Sequence, residues 1–375
     1  RSIKQLVRVQ LPPNTSPGSV LTIKIPNTQE SVQVAVPDNA LPGATLQFEV
    51  ASSRVPPPVH AVGHKSQGVM SGYESIKAAA ERGDANALNN LGYMYQTGQC
   101  VDKDVKRAVE LYTLAAEQGH APAQYNLGYM YQSGQGVEPD LKRALKWNTL
   151  AAEQGNAVAQ FNLGLMYQTG QDVEPDVKRA VELFTSSADQ GYSSAQCCLG
   201  LMYQNGQGVE PDIKRAVELY TLAADQGVAE AQFALGDMYR LGRVVEPDIK
   251  RAAELYTLSA EQGCAEAQNN LGFIYQTGRG VEPDVERAFK LYTLAAEQGH
   301  AHAQCSLGSM YRNGQGVEPD IKRVVEYYSS AAEQGYAPAQ YNLGRMYEAG
   351  QGVEPDVKRA VELYTLAAEQ GYGYA

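Results

Sequence analysis

The sequence predicts a mainly α-helical protein, an α/α superhelical solenoid preceded by a small all-β module. The first observation is a 36-residue period: Gly83, Gly119 and Gly155 close successive units, and the last such glycine, Gly371, lies eight periods after the first. Self-similarity at a fixed period is the signature of a solenoid. The second observation is that apolar residues within each period recur at helical spacing, whereas before residue 54 they alternate with polar residues, as in strands.

Residues 1–53 predict four short strands in two related strand-turn-strand halves. The run TLQFEV at 45–50 alternates between polar and apolar residues, which is typical of half-buried strands. The turn-forming run PPNTSPG at 12–18 is similar to PDNALPG at 37–43. We interpret this segment as a small β module for docking or spacing. The alternative is its similarity to strand pairs in the substrate-binding region of J-domain co-chaperones.

Residues 54–69 predict a linker, because prolines and glycines interrupt any regular pattern there. Residues 70–375 predict the solenoid, with eight 36-residue units over 84–371 and partial units at both ends. The segment YESIKAAAER at 73–82 resembles the second half of a unit, and we expect it to cap the array. No polar capping helix follows Gly371, so we expect a truncation at that end.

The unit from His120 to Gly155 illustrates the period. A first helix is predicted at about 122–133, because the residues of its buried face are spaced by whole helical turns. That face consists of Ala123, Leu127, Met130 and Tyr131. Gly128 lies beside it and recurs in every unit. A glycine inside a helix is unfavourable by about 1 kcal/mol relative to alanine, so its recurrence indicates a neighbouring helix too close for a Cβ.

The tyrosine of this face recurs in all eight units, and we predict that it forms a ladder in the core. The column consists of Tyr95, Tyr131, Tyr167, Tyr203, Tyr239, Tyr275, Tyr311 and Tyr347. The units of a solenoid stack to join small apolar faces into one continuous core. We therefore expect Tyr131 and Tyr167 to contribute to stability and not to binding.

A turn and a second helix complete the unit. Gly134 suits a left-handed helix end, Asp140 suits the N-cap of the second helix, and Gly155 suits the cap that follows Gln154. The buried face of the second helix is predicted to contain Ala144, Leu145, Trp147 or its Tyr equivalents, Leu150, Ala151 and Ala152. Isolated helices of this length are marginal in water, so stacking must stabilise them.

The repeated pattern resembles a known family. The run A-x-x-x-L-G-x-x-Y, then G-x-G-V, then K-R-A-x-x-x-Y-x-x-A-A-x-x-G is similar to the Sel-1-like repeat, over residues 84–371. The related tetratricopeptide repeat has a shorter period of 34 residues. The resemblance implies an α/α superhelical adaptor that holds proteins together, including in membrane-associated degradation complexes.

No catalytic, metal or cofactor site is predicted. The five cysteines do not recur in pairs within the units; secreted, cysteine-rich relatives staple each unit with a disulfide, and some are β-lactamase-like. His120 and His300 occupy the same place in their units, and a metal pair of His300 with His302 lacks a third ligand. We interpret the recurring Lys-Arg pairs, such as Lys142-Arg143, as a solvated face beside acidic residues. A partner-binding stripe is the alternative.

The charge balance argues against nucleic acid as a partner. The formal net charge is −11, and nucleic-acid binding requires a basic surface. No stretch approaches the roughly 20 apolar residues that span a bilayer, so we expect no direct membrane insertion. The sequence starts at Arg1 instead of Met, which predicts a processed or truncated product. A lone glycosylation sequon at Asn14 is a weak signal, so a cytoplasmic location is favoured over the ER lumen.

A partner-binding groove is predicted on the first helix of each unit. One face of this helix changes freely between units; in the first unit it consists of Asn86, Asn89, Tyr93, Gln96 and Thr97. In tetratricopeptide arrays the corresponding face lines the concave groove, and the resemblance extends this to the present chain. The predicted binding residues are Asn89, Tyr93, Tyr125, Tyr129, Phe161, Leu165, Phe233, Asp237, Arg240, Arg312 and Arg345. Aromatic residues and Arg are favoured in binding hot spots, but an unconstrained solvent surface explains free variation equally well.

We therefore predict a non-enzymatic scaffold or adaptor that holds a peptide or protein in the concave groove of the solenoid, without a cofactor. Two alternatives from other classes stay open. One is an accessory fragment of a larger enzyme whose catalytic domain lies upstream of Arg1. The other is a hydrolase of the cysteine-rich, β-lactamase-like kind.

Overall fold

A computed structural model describes residues 4–10, 20–24, 31–35, 45–51, 67–171, 173–243 and 246–372. Most of the predicted linker at 54–69 lies outside the described residues, and its last three residues belong to the first helix. The domain boundaries proposed at 53 and 69 therefore stay predictions.

Four strands lie in the N-terminal segment: β1 (Lys4–Gln10), β2 (Val20–Lys24), β3 (Ser31–Ala35) and β4 (Thr45–Ala51). β1 pairs with β4 and β2 with β3, both antiparallel. Val7 lies opposite Phe48, and Ile23 lies opposite Val32. Each ladder thus joins a strand of one predicted half to a strand of the other. That residues 1–53 form one all-β module stays a prediction.

The rest of the described chain is helical, and seventeen α-helices occur in it. α1 (Gln67–Glu81) precedes eight helix pairs, which we call units 1 to 8. The first helices of the pairs, the A helices, are α2 (Ala85–Thr97), α4 (Ala121–Ser133), α6 (Ala157–Thr169), α8 (Ser193–Asn205), α10 (Ala229–Leu241), α12 (Ala265–Thr277), α14 (Ala301–Asn313) and α16 (Ala337–Ala349). The second, the B helices, are α3 (Val105–Glu117), α5 (Leu141–Glu153), α7 (Val177–Asp189), α9 (Ile213–Asp225), α11 (Ile249–Glu261), α13 (Val285–Glu297), α15 (Ile321–Glu333) and α17 (Val357–Glu369). The prediction of a mainly α-helical repeat solenoid is confirmed.

The turn between the two helices of a unit has the predicted chemistry. In unit 4, Gly206 ends α8 with φ +67°, and its N–H donates to the carbonyl of Met202. A left-handed residue of this kind satisfies carbonyls that the helix leaves unpaired. Asp212 then caps α9, because its carboxylate accepts the N–H of Arg215 at 3.0 Å.

The two helices of a unit approach closely where the A helix carries its glycine. A Cβ on Gly200 would lie 2.9 Å from Cε1 of Tyr220 on α9, which confirms the predicted close contact. Tyr220 belongs to a column that we call the core aromatic column: Tyr112, Phe184, Tyr220, Tyr256, Tyr292, Tyr328 and Tyr364. All of its members except Tyr364 are buried. The Tyr220 hydroxyl donates to Oε1 of Gln204 at 2.9 Å.

The tyrosine ladder predicted for the core lies at its edge, and that prediction is corrected. Of the eight residues from Tyr95 to Tyr347, which we call the edge tyrosine column, only Tyr311 is buried. Tyr131 is half-buried, its hydroxyl accepts from Nη1 of Arg143 at 3.1 Å, and the guanidinium lies 5.4 Å from the ring centroid. The column occupies the last turn of the A helix, so its rings cover the turn between the helices instead of the centre of the unit.

Unit 2 departs from the core aromatic column. Asn148 occupies the place of the aromatic residue, and Trp147, predicted to be buried there, is the half-buried residue before it. Asn148 is 1% exposed, and its Oδ1 has no hydrogen-bond partner among the described residues. Gln132, the counterpart of Gln204, therefore has no tyrosine hydroxyl from which its Oε1 could accept a hydrogen bond.

Successive units are joined by a hydrogen-bond chain that we call the glutamine relay. In unit 4, Gln226 after α9 donates to Oε1 of Gln196 on α8 at 2.8 Å, and Gln196 donates to the carbonyl of Ala188 in unit 3 at 3.2 Å. The first of these bonds recurs in every unit from 2 to 8. The buried glutamines of the A helices are thereby satisfied, as buried polar groups must be.

Candidate functional site

The A helices carry two variable columns, one helical turn apart. We call the first the packed A column: Asn89, Tyr125, Phe161, Cys197, Phe233, Asn269, Cys305 and Tyr341. We call the second the exposed A column: Tyr93, Tyr129, Leu165, Leu201, Asp237, Phe273, Ser309 and Arg345. Each member of the second follows its partner by four residues, so the two columns run side by side along the A helices.

The packed A column takes part in contacts within and between units. The ring of Phe161 lies 5.6 Å from that of Phe184 on the B helix of its own unit and 5.2 Å from that of Tyr192, the N-cap residue of α8 in the next unit. The ring of Phe233 lies 5.8 Å from that of Tyr256. Both phenylalanines are half-buried, so residues that the sequence assigned to the groove contribute to packing.

Two further predicted groove residues in this column are also engaged. Tyr125 is half-buried, and burial raises the pKa of its hydroxyl, while a hydrogen bond with Asn162 of the next unit opposes that shift. Asn89 accepts a hydrogen bond from Nδ2 of Asn126 at 2.9 Å. Tyr125, which the sequence predicts to lie in the groove, therefore packs between two units.

The exposed A column places large apolar side chains in solvent. Tyr93 is 37% exposed and Tyr129 is 41% exposed, as predicted for groove residues, whereas Leu165 is half-buried. Leu201, at 46%, and Phe273, at 42%, are equally exposed, but the sequence analysis missed them. When the units are aligned at their glycines, both residues fall in the column of Tyr93 and Tyr129. The repeat alignment could therefore have identified them as exposed.

Unit 5 carries a polar cluster in place of an apolar side chain. Tyr256 donates its hydroxyl to Oδ1 of Asp237, and Nε of Arg240 donates to the same oxygen at 3.1 Å and to the Tyr256 hydroxyl at 3.0 Å. Burial, followed by the Asp237 carboxylate, raises the pKa of Tyr256. Asp237 and Arg240 thus neutralise each other, and this part of the face carries no net charge.

Arg312 and Arg345 place positive charge at the far end of the face, although Glu348 occupies in unit 8 the place of Arg312. Both are exposed, and neither takes part in an ion pair within the described residues. The Arg312 guanidinium lies 5.9 Å from the centroid of the Tyr328 ring, a cation–π geometry. The helix-A face, which we define as the exposed A column with Arg240 and Arg312, is therefore apolar in units 1 to 4, neutral and polar in unit 5, and cationic in unit 7. In unit 8 the charge of Arg345 is balanced by Glu348, three residues later on the same helix, whose carboxylate accepts the Tyr364 hydroxyl at 2.7 Å.

The histidines have structural positions. Nδ1 of His120 accepts the N–H of Ala123 at 3.3 Å, and Nδ1 of His300 accepts the N–H of Ala303 at 3.2 Å, so both cap an A helix. Burial lowers the pKa of both rings, which favours the neutral imidazole that an acceptor nitrogen requires. In the part of the chain that the structure describes, no three His, Cys, Asp or Glu side chains are grouped to hold a metal ion.

The cysteines are free thiols. Burial raises the pKa of the Cys197 thiol to about 12 and that of Cys305 to about 11. Because the thiolate is the nucleophilic form, these two side chains are unreactive near neutral pH.

Among the helices of the described residues, none has the length and apolar character needed to cross a bilayer.

Comparisons with known proteins agree on one repeat. The Sel1 repeat profile matches residues 85–120, 121–156, 157–192, 193–228, 229–264, 265–300, 301–336 and 337–372. No curated protein matches the chain.

Two solved structures are similar over most of the chain. One is a protective antigen present in uropathogenic Escherichia coli strains that displays an SLR fold; it is 38% identical over 80% of this chain, with a TM-score of 0.69. The present chain spans 64% of the length of that antigen. The other is a Sel1 repeat protein from Oxalobacter formigenes, which is 31% identical over 84% of this chain and 96% of its own, with a TM-score of 0.57.

Proposed function

The chain belongs to the Sel1 repeat family, and we propose from this premise that it is a non-enzymatic scaffold that binds a peptide or protein segment along the helix-A face. Sel1-repeat solenoids typically mediate protein–protein interaction and are generally non-catalytic. The exposed A column supports the proposal, because it presents Tyr93, Tyr129, Leu201 and Phe273 to solvent on a backbone that is the same in every unit. Exposed aromatic and apolar residues that form a patch mark interaction sites.

The charges of the face define the kind of segment that fits. An apolar or aromatic stretch of the partner would cover units 1 to 4, where Tyr129 and Leu201 stand exposed. An acidic group would follow against Arg312, because unit 5 carries a neutral pair and Arg345 in unit 8 stands beside Glu348. Complementary charge at the end of an interface fixes the register and direction of the bound segment.

The other proposals from the sequence have narrower support. A small β module at 1–53 for docking or spacing, a cytoplasmic location and a partner within a membrane-associated complex all rest on the sequence alone. The hydrolase alternative depended on a disulfide framework, and the five free thiols remove that support. The remaining alternative is an accessory segment of a larger enzyme. Such a segment would also bind its partner along the helix-A face, so the same test applies to it.

The proposal is tested by selecting a ligand and then changing the face. A phage-displayed random peptide library is panned on the full chain, and the enriched peptide is titrated against Tyr129→Ala and Leu201→Ser by fluorescence anisotropy. Each variant is expected to bind about tenfold more weakly, as hot-spot residues do. The matched control is Leu258→Ser on a B helix, where the leucine is 48% exposed; it should bind like the wild type.

A second arm examines the cationic end. Arg312→Gln should weaken binding of an acidic peptide and reduce the dependence of its affinity on salt. Equal affinity of the wild type and both helix-A variants would contradict the proposed site. A loss of affinity in the Leu258→Ser control would instead place the peptide on the B helices.

A further inference from the structure

The outer side of the B helices carries a second apolar column, away from the helix-A face. We call it the surface leucine column: Leu114, Leu150, Leu222, Leu258, Leu294 and Leu366. All except the half-buried Leu150 are between 46% and 51% exposed. Units 3 and 7 carry Ser186 and Ser330 at this place, so the fold does not require leucine there. Units 4 to 6 hold the longest uninterrupted run.

A column of carboxylates accompanies the leucines, three residues further along each helix. It consists of Glu117, Glu153, Asp189, Asp225, Glu261, Glu297, Glu333 and Glu369, each of which is the last residue of its B helix and exposed. None of them takes part in an ion pair within the described ranges. A negative charge at a helix C-terminus is unfavourable, because the helix dipole is negative there. In all eight units, therefore, an acidic residue occupies a position where its negative charge destabilises the helix.

The arginines of the same helices are engaged elsewhere, and within units 4 to 6 one lysine, Lys290 of unit 6, lies beside the leucines, four residues before Leu294. In units 4 and 5, Arg215 pairs with Glu218 and Arg251 pairs with Glu254, each at 2.8 Å. In unit 6 the Arg287 guanidinium lies 4.4 Å from the centroid of a tyrosine ring. In units 4 and 5 the lysines of the first turn precede the leucines by eight residues, or about 12 Å along the helix, which exceeds the screening length at physiological salt. The charge beside Leu222 and Leu258 is therefore negative, although Arg251 of unit 5, whose pKa is raised first by its hydrogen bond to Glu254, lies close enough to Asp225 for that carboxylate to raise the pKa further. Beside Leu294, Lys290 and Glu297 carry opposite charges.

We propose that units 4 to 6 present a second docking surface, formed by Leu222, Leu258 and Leu294 with Asp225, Glu261 and Glu297, and that its occupant is a cationic amphipathic helix of a partner protein. The apolar side of such a helix covers the three leucines, and its Lys or Arg side chains reach the three carboxylates. We call these six residues the leucine–carboxylate surface. It lies on other helices than the helix-A face and does not depend on the function proposed above.

The composition of this surface selects against other occupants. An anionic peptide or an anionic lipid surface would meet three carboxylates against one lysine, Lys290, and be repelled. An apolar segment without charge would cover the leucines but leave the carboxylates at the helix ends without counter-charge. Ser186 and Ser330 bound the surface on both sides, so the matching helix needs to contact three units and not the whole array.

The test uses a synthetic, dye-labelled amphipathic helix of leucine and lysine as the probe. Two control peptides accompany it: one with glutamate in place of lysine, and one with the same leucine and lysine composition in scrambled order. The full chain is expected to bind the first peptide and neither control. Combined Leu222→Ser, Leu258→Ser and Leu294→Ser should lower the affinity by about tenfold or more. The three serines should leave the fold intact, since serine occurs naturally at this place in units 3 and 7.

A second variant keeps the test decisive if the triple serine chain unfolds. Asp225→Asn, Glu261→Gln and Glu297→Gln together remove only charge from exposed positions, and they too should weaken binding and flatten its salt dependence. The matched control is Leu201→Ser on the helix-A face, which should bind the peptide like the wild type. Far-UV circular dichroism and a thermal melt check that each variant is folded.

Several outcomes would overturn the proposal. Unchanged affinity in both triple variants would show that the peptide is attracted only by the overall negative charge. A loss in Leu201→Ser as large as that in the triple variants would move the peptide to the helix-A face. Equal binding of the scrambled peptide would exclude an amphipathic helix as the recognised shape, and co-flotation of the wild-type chain with phosphatidylcholine and phosphatidylserine vesicles would assign the leucines to a membrane.

Discussion

Replacing Asn148 with tyrosine is expected to stabilise the solenoid. Asn148 is 1% exposed and its Oδ1 has no hydrogen-bond partner among the described residues. An unsatisfied polar group in the interior destabilises the folded state by about 1–3 kcal/mol. The corresponding residue is tyrosine or phenylalanine in the seven other units. Asn148→Tyr therefore restores a side chain for which the same helix pair is built elsewhere in the chain.

The expected gain follows from four contributions. Removing the unsatisfied amide stabilises by about 1–3 kcal/mol, and burying an aromatic ring contributes about 1.5–3 kcal/mol. A hydroxyl bond to Gln132, like that of Tyr112 to Gln96 at 2.7 Å, adds about 1 kcal/mol. Moving neighbours aside for the larger side chain opposes these terms by about 1–3 kcal/mol. The net expectation is a free energy of unfolding raised by about 2–4 kcal/mol.

The assay is urea denaturation followed by circular dichroism, with hydrogen exchange of the unit 2 amides as a local measure. Repeat arrays unfold by units as well as globally, so the local measure is needed beside the midpoint. Asn148→Ala serves as a control, since it removes the amide but supplies no ring. Tyr112→Asn makes the reverse change in unit 1 and should lower both the midpoint and the local protection.

A lower midpoint for Asn148→Tyr would refute this reasoning, because it would show that the neighbours of Asn148 have closed over the space that a ring fills in other units. An unchanged stability of Tyr112→Asn would refute it independently. That result would mean that the core aromatic column does not stabilise its units.

The remaining predictions concern the core. Gly200→Leu is expected to destabilise by about 1–3 kcal/mol, because a Cβ there lies 2.9 Å from the Tyr220 ring; a melting curve equal to that of the wild type would contradict it. Tyr220→Ala should lower the free energy of unfolding by about 3–5 kcal/mol and Tyr203→Ala, in the half-buried edge tyrosine column, by clearly less, which parallel urea titrations measure. Burial raises the pKa of Tyr292 to about 12, against about 10 in the unfolded chain. Its contribution to stability is thus complete below about pH 10 and is lost as the pH rises to about 12, so the stability difference between the wild type and Tyr292→Phe should change across that window and stay constant below it.

The helices and their ends could be predicted because each depends on rules that act within a few residues. Gly134 ends its A helix in the left-handed region, and Asp140 caps the next helix, as the sequence indicated. The burial of the two recurring tyrosines could not be predicted in this way. Tyr131 and Tyr112 both lie at helical spacing from apolar residues, and only the packing of one helix on the other places the first at the edge and the second in the centre.

The candidate site was predicted in part, for a related reason. Variation between units was interpreted as freedom from the core, which holds for Tyr129 but not for Phe161. The variable residue Phe161 is enclosed by its neighbours, because the rings of Phe184 and Tyr192 lie 5.6 and 5.2 Å from its own. The pairing of Asp237 with Arg240 was also out of reach, since spacing alone does not show that two charges neutralise each other.

The glutamine relay makes the junctions between units interchangeable. Gln196 donates to the carbonyl of Ala188, and Gln232 donates to that of Ala224, both at 3.2 Å. A duplicated copy of 193–228 inserted after Val228 would offer the same donor to the same acceptor at each new junction, whereas an insertion of any other length would leave a buried amide without its carbonyl. The length of the array can therefore change in steps of one whole unit while the buried amide-to-carbonyl bond of each junction is kept.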